Sequence, residues 1–311
     1  TFFPTIDSAV NGQEGLDKYQ AGQYEIVISD LRMPVMDGVE MVKRIKELNN
    51  DYMEAKKDYA ANQDDPEKLL WFARKTEILG NFMESTGLYS VGIKKWPDNP
   101  QFYRFRGHRF ALLRRLDLAI ADFNKAAELI EGKEDIPEVY ASGPNPDKLG
   151  ISSFNWNVYY HQGFTYIAAG RFKEAEEAYW KCFDNIDVVE STVSTTHWII
   201  MALQRQGKKD KVQELLDKIK LDMSLVEVGA YYDTLKMYKG VYTPDELLDM
   251  YRAKGGVSFM VPAQAIANMY LAEGKTEKAV ELYKELHEKG NWTGGVHLIA
   301  EAELKGLGVQ L

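Results

Sequence analysis

Cysteine is almost absent: Cys182 is the single one in 311 residues. The chain therefore carries no internal disulfide framework, and a lone thiol fits a reducing compartment, so a cytoplasmic location is expected. No apolar run approaches the roughly 18 residues that a membrane-spanning helix needs, and no signal peptide is visible in the chain as given. No membrane partner is expected. Histidine is also sparse, and His108, His161, His197, His287 and His297 form neither an HExxH nor a His-x-His arrangement. Such scattered imidazoles offer no zinc site and no partner for a thiol nucleophile. The glycine pairs at 255–256 and 294–295 lack the Lys-Ser/Thr or the strand context of a phosphate-binding loop. Cations are outnumbered, 38 Lys and Arg against 47 Asp and Glu. Neutralising a phosphate backbone takes clustered Lys and Arg, so nucleic acid is not an expected partner. None of these patterns supports an enzyme, a resident metal or a cofactor.

What the chain does contain, from about residue 51 onward, is helical periodicity rich in Ala, Leu, Glu, Lys and Tyr. Frames aligned on a glycine that closes one helix and opens the next repeat along it. The first has Leu69, Phe72 and Ala73, then Gly80, then Phe82, Tyr89, Gly92 and Pro97, and 34 residues separate Pro66 from Pro100. The second runs through Tyr103, Gly107, Phe110, Ala119, Phe123 and Ala126. The third, YYHQGFTYIAAGRFKEAEEAYWKCF, is the clearest, with Tyr159, Gly163, Tyr166, Gly170, Phe172, Ala175, Tyr179 and Cys182. A last strong frame has Ile266, Ala267, Tyr270, Gly274, Ala279 and Tyr283. Two weaker ones run through Ile199, Leu203, Gly207, Val212 and Leu216, and through Tyr232, Gly240 and Leu248. In the latter, Thr243 to Glu246 reads TPDE, a helix start with a capping box.

This alternation of small and large residues resembles the tetratricopeptide repeat. A Gly or Ala on each helix lets an antiparallel pair approach, while aromatics fill the space between neighbours. About six helix pairs are expected over 51–292, with VHLIAEAELKG as a capping helix over the last apolar face. Cys182 takes an Ala-like place in this pattern and reads as a small buried hydrophobe. Residues 132–153, with three Pro and three Gly, interrupt the array as an irregular insertion. The resemblance implies that the first helix of each pair lines a concave, exposed groove. Mapped onto this chain, the groove residues are Arg74, Glu77, Arg104, His108, Asn157, Tyr160, Phe164, His197, Gln204, Gln264 and Asn268. That polar and aromatic set suits a protein or peptide ligand.

The first 50 residues have another character. In YEIVISDLRMPVMDG, residues 24–38, the run Tyr24, Ile26, Val27, Ile28 reads as a buried parallel strand ending at Asp30, followed by a Met-Pro turn and an Asp-Gly. From about Ile6 to Leu48 the chain resembles the receiver domain of two-component response regulators. The resemblance implies a second strand in IDSAVNG, a second helix in QEGLDKYQAG, a third strand ending at Asp30 and a third helix in GVEMVKRIKELN. Asp30 would be the phosphoacceptor, and the Arg32 carbonyl a magnesium ligand. No acidic pair precedes the motif in the chain as given, and no later strand ends in Thr-Ala or Lys-Pro. Magnesium is thus expected only if this segment works as a receiver. The expected fold is mainly α: a short α/β segment over 1–50, then a tetratricopeptide-like domain over 51–311. The expected function is a non-enzymatic protein-interaction scaffold using the concave groove, with bacterial two-component signalling as its context. The competitors are a regulator phosphorylated on Asp30 with the array as output, and a small-molecule binder or enzyme using the groove.

Overall fold

Among the residues described, fifteen α-helices carry the chain from Gly12 to Gly306. The computed structural model describes residues 7–21, 24, 27–30, 32–33, 35–136, 138, 153–185, 188–225, 228–254, 256–290, 292 and 294–311. The chain divides into two compact units, Thr1–Arg109 and Phe110–Leu311.

The first unit opens with α1 (Gly12–Ala21) and α2 (Gly38–Ala61). Asp37 caps α2, its carboxylate accepting from the Glu40 amide at 2.8 Å, a bond that satisfies one of the free donors of a first turn. Leu16, Met36 and Met41 form a small core between the two helices, with Val42, Ile45 and Leu48 against it. Two features depart from the sequence reading. No strand occurs among the described residues, and Val27 and Ile28 are 40% and 93% exposed where a covered strand was expected. A parallel strand is held by ladder bonds to its neighbours; no such ladder forms here among the described residues, so Val27 and Ile28 lie open. The third helix does not stop near Asn50 either, since α2 continues without a break to Ala61. After it come α3 (Pro66–Ile78), with Asp65 as N-cap and Pro66 at the first helical position, α4 (Phe82–Lys95) and α5 (Pro100–Leu112). Gly92 on α4 lies where a Cβ would stand 2.4 Å from the Phe102 ring.

The second unit takes the end of α5 and continues through α6 (Leu116–Ile130), α7 (Phe154–Ala168), α8 (Phe172–Phe183), α9 (Val189–Arg205) and α10 (Lys209–Lys218). Then follow α11 (Gly229–Tyr238), α12 (Pro244–Lys254), a 3-10 turn at Gly256–Phe259, α13 (Met260–Ala272), α14 (Thr276–Lys289) and α15 (Gly295–Gly306). Helices α3 to α14 are thus six successive helix-turn-helix units, as the repeat pattern predicts. The capping box at α12 is formed in both directions, Thr243 N to Glu246 at 2.8 Å and Glu246 N to Thr243 Oγ1 at 3.2 Å. Cys182 is fully buried, with its sulfur 3.7 Å from the Trp156 carbonyl. Most of the 132–153 insertion lies outside the described residues.

One turn recurs after every first helix. At Gly170 the amide donates to the Ile167 carbonyl at 2.9 Å, and the next amide, of Arg171, to Tyr166 at 2.8 Å. This double bond pattern closes a helix through a left-handed residue, which glycine adopts without a Cβ penalty. Gly80, Gly207, Gly240 and Gly274 repeat it, and Gly308 repeats it after α15, all with φ between 70° and 81°. Between α5 and α6 the same position is Arg114, at φ 60°. A side chain there costs roughly 1–2 kcal/mol.

Gly163 on α7 faces α8, as the repeat register requires, with the Tyr179 ring 2.7–2.9 Å from where its Cβ would stand. Because Tyr179 is completely buried, the ring has no room to retreat. Gly163→Leu is expected to destabilise the chain by about 1–3 kcal/mol through overpacking, read as a lowered urea midpoint with the slope unchanged.

Candidate functional site

The residues assigned to a groove fall into two groups, one in each unit. In the first unit Arg74 pairs with Glu77 one turn along α3. Glu77 also accepts the Tyr89 hydroxyl at 2.8 Å and lies 3.5 Å from Arg109 Nε. Arg109 in turn reaches His108 Nδ1 at 2.7 Å. Arg74 and Arg104 both lie against the Phe105 ring, 4.0 and 4.5 Å from its centroid, a cation–π arrangement that an arginine makes readily when desolvated. Burial, and then the Glu77 charge, push the Tyr89 phenol well above its usual range. Arg74, Glu77 and Arg104 are 8%, 5% and 5% exposed, so they are parts of the interior and not of an open groove. His108 is half-buried.

In the second unit the first helices meet one another as well as their own partners. Helix α9 touches α11 and α13, and α7 touches α15. That closure explains why Asn157, Phe164, His197, Gln264 and Asn268 are buried rather than exposed. Their expected exposure is corrected: polar residues on an inner helix face become core when the facing helix is another part of the chain. Tyr160 on α7 stacks on Trp156 with ring centroids 4.4 Å apart and accepts the Trp198 indole N–H at 2.5 Å. Phe164 sits edge-on to Trp198 at 5.7 Å. Asn157 donates to the Ser153 carbonyl at 2.9 Å. Asn268 on α13 donates to Gln204 Oε1 at 3.0 Å and to the Met201 carbonyl at 3.3 Å, linking α13 to α9. Gln204 stays half-buried.

His197 and Gln264 stand apart. Both are completely buried, and neither the two imidazole nitrogens nor the two ends of the amide find a hydrogen-bond partner among the described residues. His197 lies among aromatics instead, edge-on to Tyr231 at 4.9 Å and to Trp198 at 5.3 Å. Burial without a partner costs about 1–3 kcal/mol for each such polar group. It also disfavours the imidazolium, and holds the His197 pKa down at about 3.

Sequence reasoning missed four charged residues of this unit. Arg114 donates from Nε to Glu301 at 2.8 Å and from a terminal nitrogen to the Trp292 carbonyl at 2.8 Å, and it approaches His297 Nδ1 at 3.2 Å. Arg205, the last residue of α9, pairs with Glu303. The one signal for Arg114 was the missing glycine at the second turn.

Asp30 is exposed and lines two open clefts. The larger, of about 640 Å³, also carries Ser29, Lys43, Lys46 and Glu47. The smaller, of about 440 Å³, carries Asp7 and Tyr24. Asp7 accepts the Tyr24 hydroxyl at 2.5 Å, a bond that pushes the phenol up to about 12. Arg32 is exposed. Among the described residues no three His, Cys, Asp or Glu side chains gather into a group able to hold a metal ion. Among the described residues, the acids around Asp30 do not form the group that a receiver's magnesium needs. No helix among the described residues is long and apolar enough to cross a membrane.

The architecture defines the class, an array of tetratricopeptide-type helix pairs behind a receiver-like segment. Comparison with known proteins agrees at both ends. Residues 2–54 match the family described as response regulator receiver domain. Two-component response regulator 24 of Arabidopsis thaliana is 37% identical over 43 residues, 14% of this chain and 31% of that protein, so the chain spans about a third of its relative's length. A tetratricopeptide repeat protein from Parabacteroides merdae aligns over 85% of this chain and 95% of its own, with a TM-score of 0.50 at 14% identity. That likeness carries the fold alone. YrrB, described as a TPR protein with an unusual peptide-binding site, aligns over 81% of this chain and 97% of its own with a TM-score of 0.45 and 13% identity.

The buried imidazole gives a pH test. With a pKa of about 3 folded and ~6.5 unfolded, the unfolded chain binds the extra proton between those values. Stability is therefore unaffected by this group above about pH 6.5 and falls as pH drops towards 3. Relative to His197→Phe, the natural chain is expected to lose roughly 2 kcal/mol more between pH 7 and pH 5, read from urea midpoints at each pH.

Proposed function

We propose that the chain is a non-enzymatic protein-interaction scaffold, which takes a protein or peptide segment along the face built by the first helices of its second unit. The observation that supports this reading is the hydrogen-bonding capacity of His197 and Gln264 left unspent among the described residues, sealed while the array is closed and open to a segment only when the face parts, beside the aromatic set of Tyr160, Phe164 and Trp198. Aromatic area with a few polar groups inside it is the composition of a binding hot spot. Gln204, half-buried, supplies a further amide to a backbone laid against it, and Asn157 and Asn268 do so by giving up the contacts they make within the chain. The remaining features belong to the same reading: no cofactor, no nucleic acid or membrane partner, a cytoplasmic location, and a boundary near residue 50 between a receiver-like segment and the repeats. The match over 2–54 supports a setting in two-component signalling, bacterial or otherwise.

Panning a phage-displayed peptide library on the full chain, followed by titration calorimetry of the selected peptides, tests the scaffold. Saturable 1:1 binding is expected, weakened at least tenfold by Gln204→Ala combined with Asn157→Ala. Peptides indifferent to those changes, or none above a non-binding reference, would sink it.

A second reading, phosphorylation on Asp30, draws on its exposure and on Lys43 and Lys46 in the same cleft. Phosphoryl transfer depends on metal and positioned cations to stabilise developing charge, and the acids around Asp30 among the described residues do not group for a metal. Acetyl phosphate with magnesium is expected to leave the intact mass unchanged. A gain of one phosphoryl group that disappears in Asp30→Asn would reverse the order of the two readings.

A further inference from the structure

Helix α15 ends in the same left-handed turn as every first helix of the array, through Gly308. It packs on α14, with Ala300 and Leu304 in a core shared with Ala279, Leu282, Tyr283 and Leu286. Unlike a helix that merely covers the last pair, it also reaches α7 and α13. At its start, a Cβ on Gly295 would stand 2.6 Å from the Phe164 ring. Two arginines from earlier in the unit grip it. Arg114 holds Glu301 and Arg205 holds Glu303. Two residues on a helix are about 200° apart, so the two ion pairs clasp α15 from opposite flanks of its apolar face.

Arg114 is the informative member. At six equivalent turns the left-handed residue is glycine, and here an arginine occupies it at φ 60°. A strained non-glycine residue persists where its surroundings hold it, and is a pointer to function. What this arginine makes in return is a set of contacts to the segment 292–301: Glu301, the Trp292 carbonyl and His297, with its guanidinium 5.6 Å from the Trp292 ring centre. Glu301 on the clasp keeps its charge: although burial opposes it, hydrogen bonds from Arg114 and Lys305 hold its carboxyl below the usual range.

The geometry points to α15 as a displaceable occupant of a docking site formed by α7, α13, α14, the end of α9 and the turn at Arg114, whose ligand is a helix with one apolar face and an acidic residue on each flank. The chain's own α15 fills the site by default. A partner helix of the same chemistry binds by replacing it. This rests on the reading of the inner face as the binding surface, and identifies both the kind of partner and the control over it.

The test is made on the full chain, with no partner, by amide hydrogen exchange. Arg114→Gly restores the turn found at the other repeats and removes one clasp. Combined with Arg205→Gln, it is expected to speed exchange over 295–306 at least tenfold while α8 and α10 keep their protection. A fluorescein-labelled peptide of sequence 294–308 is expected to bind the double variant at least tenfold more tightly than the natural chain, because its site is then open more of the time. The charge-swapped chain Arg205→Glu with Glu303→Arg should restore slow exchange relative to Arg205→Glu alone. Unchanged exchange in the double variant, or loss of protection throughout the unit, would show that α15 is a fixed member of the array and overturn the proposal. Because exchange is read without any ligand, a failed peptide selection leaves this result standing, and a fixed α15 leaves the scaffold reading standing.

Discussion

A pair of helices a dozen residues long shares a core only if their axes come close, and the array depends on positions where one helix offers no side chain at the crossing. Gly163 against Tyr179 and Gly92 against Phe102 are the two clearest. The close approach lets the aromatic ring be buried whole, and a fully buried aromatic contributes more apolar area than any aliphatic residue. It also leaves α7 surrounded. Helices α6, α8 and α15 all touch it, and nearly every residue from Phe154 to Ala168 is buried. Gln162 and Tyr166 share Asn124 of α6 at 2.8 and 2.9 Å, so even its polar residues are held by neighbours. Once the first helices are this close to one another, their polar residues have no solvent to face.

Much of this was legible in the sequence. The glycine after each first helix marked five of the six pairs, because only glycine enters the left-handed turn without strain, and the capping box at Thr243 marked the start of α12. Periodicity also gave the register at Gly163 and the burial of Cys182. What it did not contain was closure. Whether α9 reaches α13, or α15 reaches α7, is decided by small rotations accumulated over several repeats, and no single window of sequence records their sum. Glu77, His197 and Gln264 therefore read as groove residues by position, yet lie inside. Arg114 was visible only as an absence, a turn without its glycine.

At the other end of the chain the pattern was read correctly as a family likeness and in its helices, while its strands are not seen among the described residues. Residues 2–54 match the receiver domain, and α1 and α2 stand where its second and third helices are expected. The strand pattern of 24–30 is a statement about two covered faces and two ladder neighbours. Where the described residues supply neither, alternating or continuous apolar residues do not by themselves make a strand. The Asp-Gly pair is less dependent on neighbours. Asp37 caps α2 through its own carboxylate, and a Cβ on Gly38 would stand 1.9 Å from the Asp30 carbonyl, so glycine is required there by close approach.

The two kinds of polar residue inside the second unit behave oppositely, and their difference orders the structure. Arg114, Arg205, Glu301 and Glu303 are paired and retain between 13% and 25% side-chain exposure. Ion pairs that keep some contact with solvent hold a helix in place with modest net energy, because water competes for each partner once they separate. His197 and Gln264 are sealed and find no hydrogen-bond partner among the described residues, and for His197 the rings of Trp198 and Tyr231 are what packs against it. A closure secured by exchangeable charges at the rim and opposed by unsatisfied polar groups within is weaker than an all-apolar one of the same area. An apolar residue at 197 or 264 would tighten it and would remove the donors and acceptors that an incoming chain has to meet. The second unit thus keeps, in its interior, the polar groups that a permanently closed array has no use for.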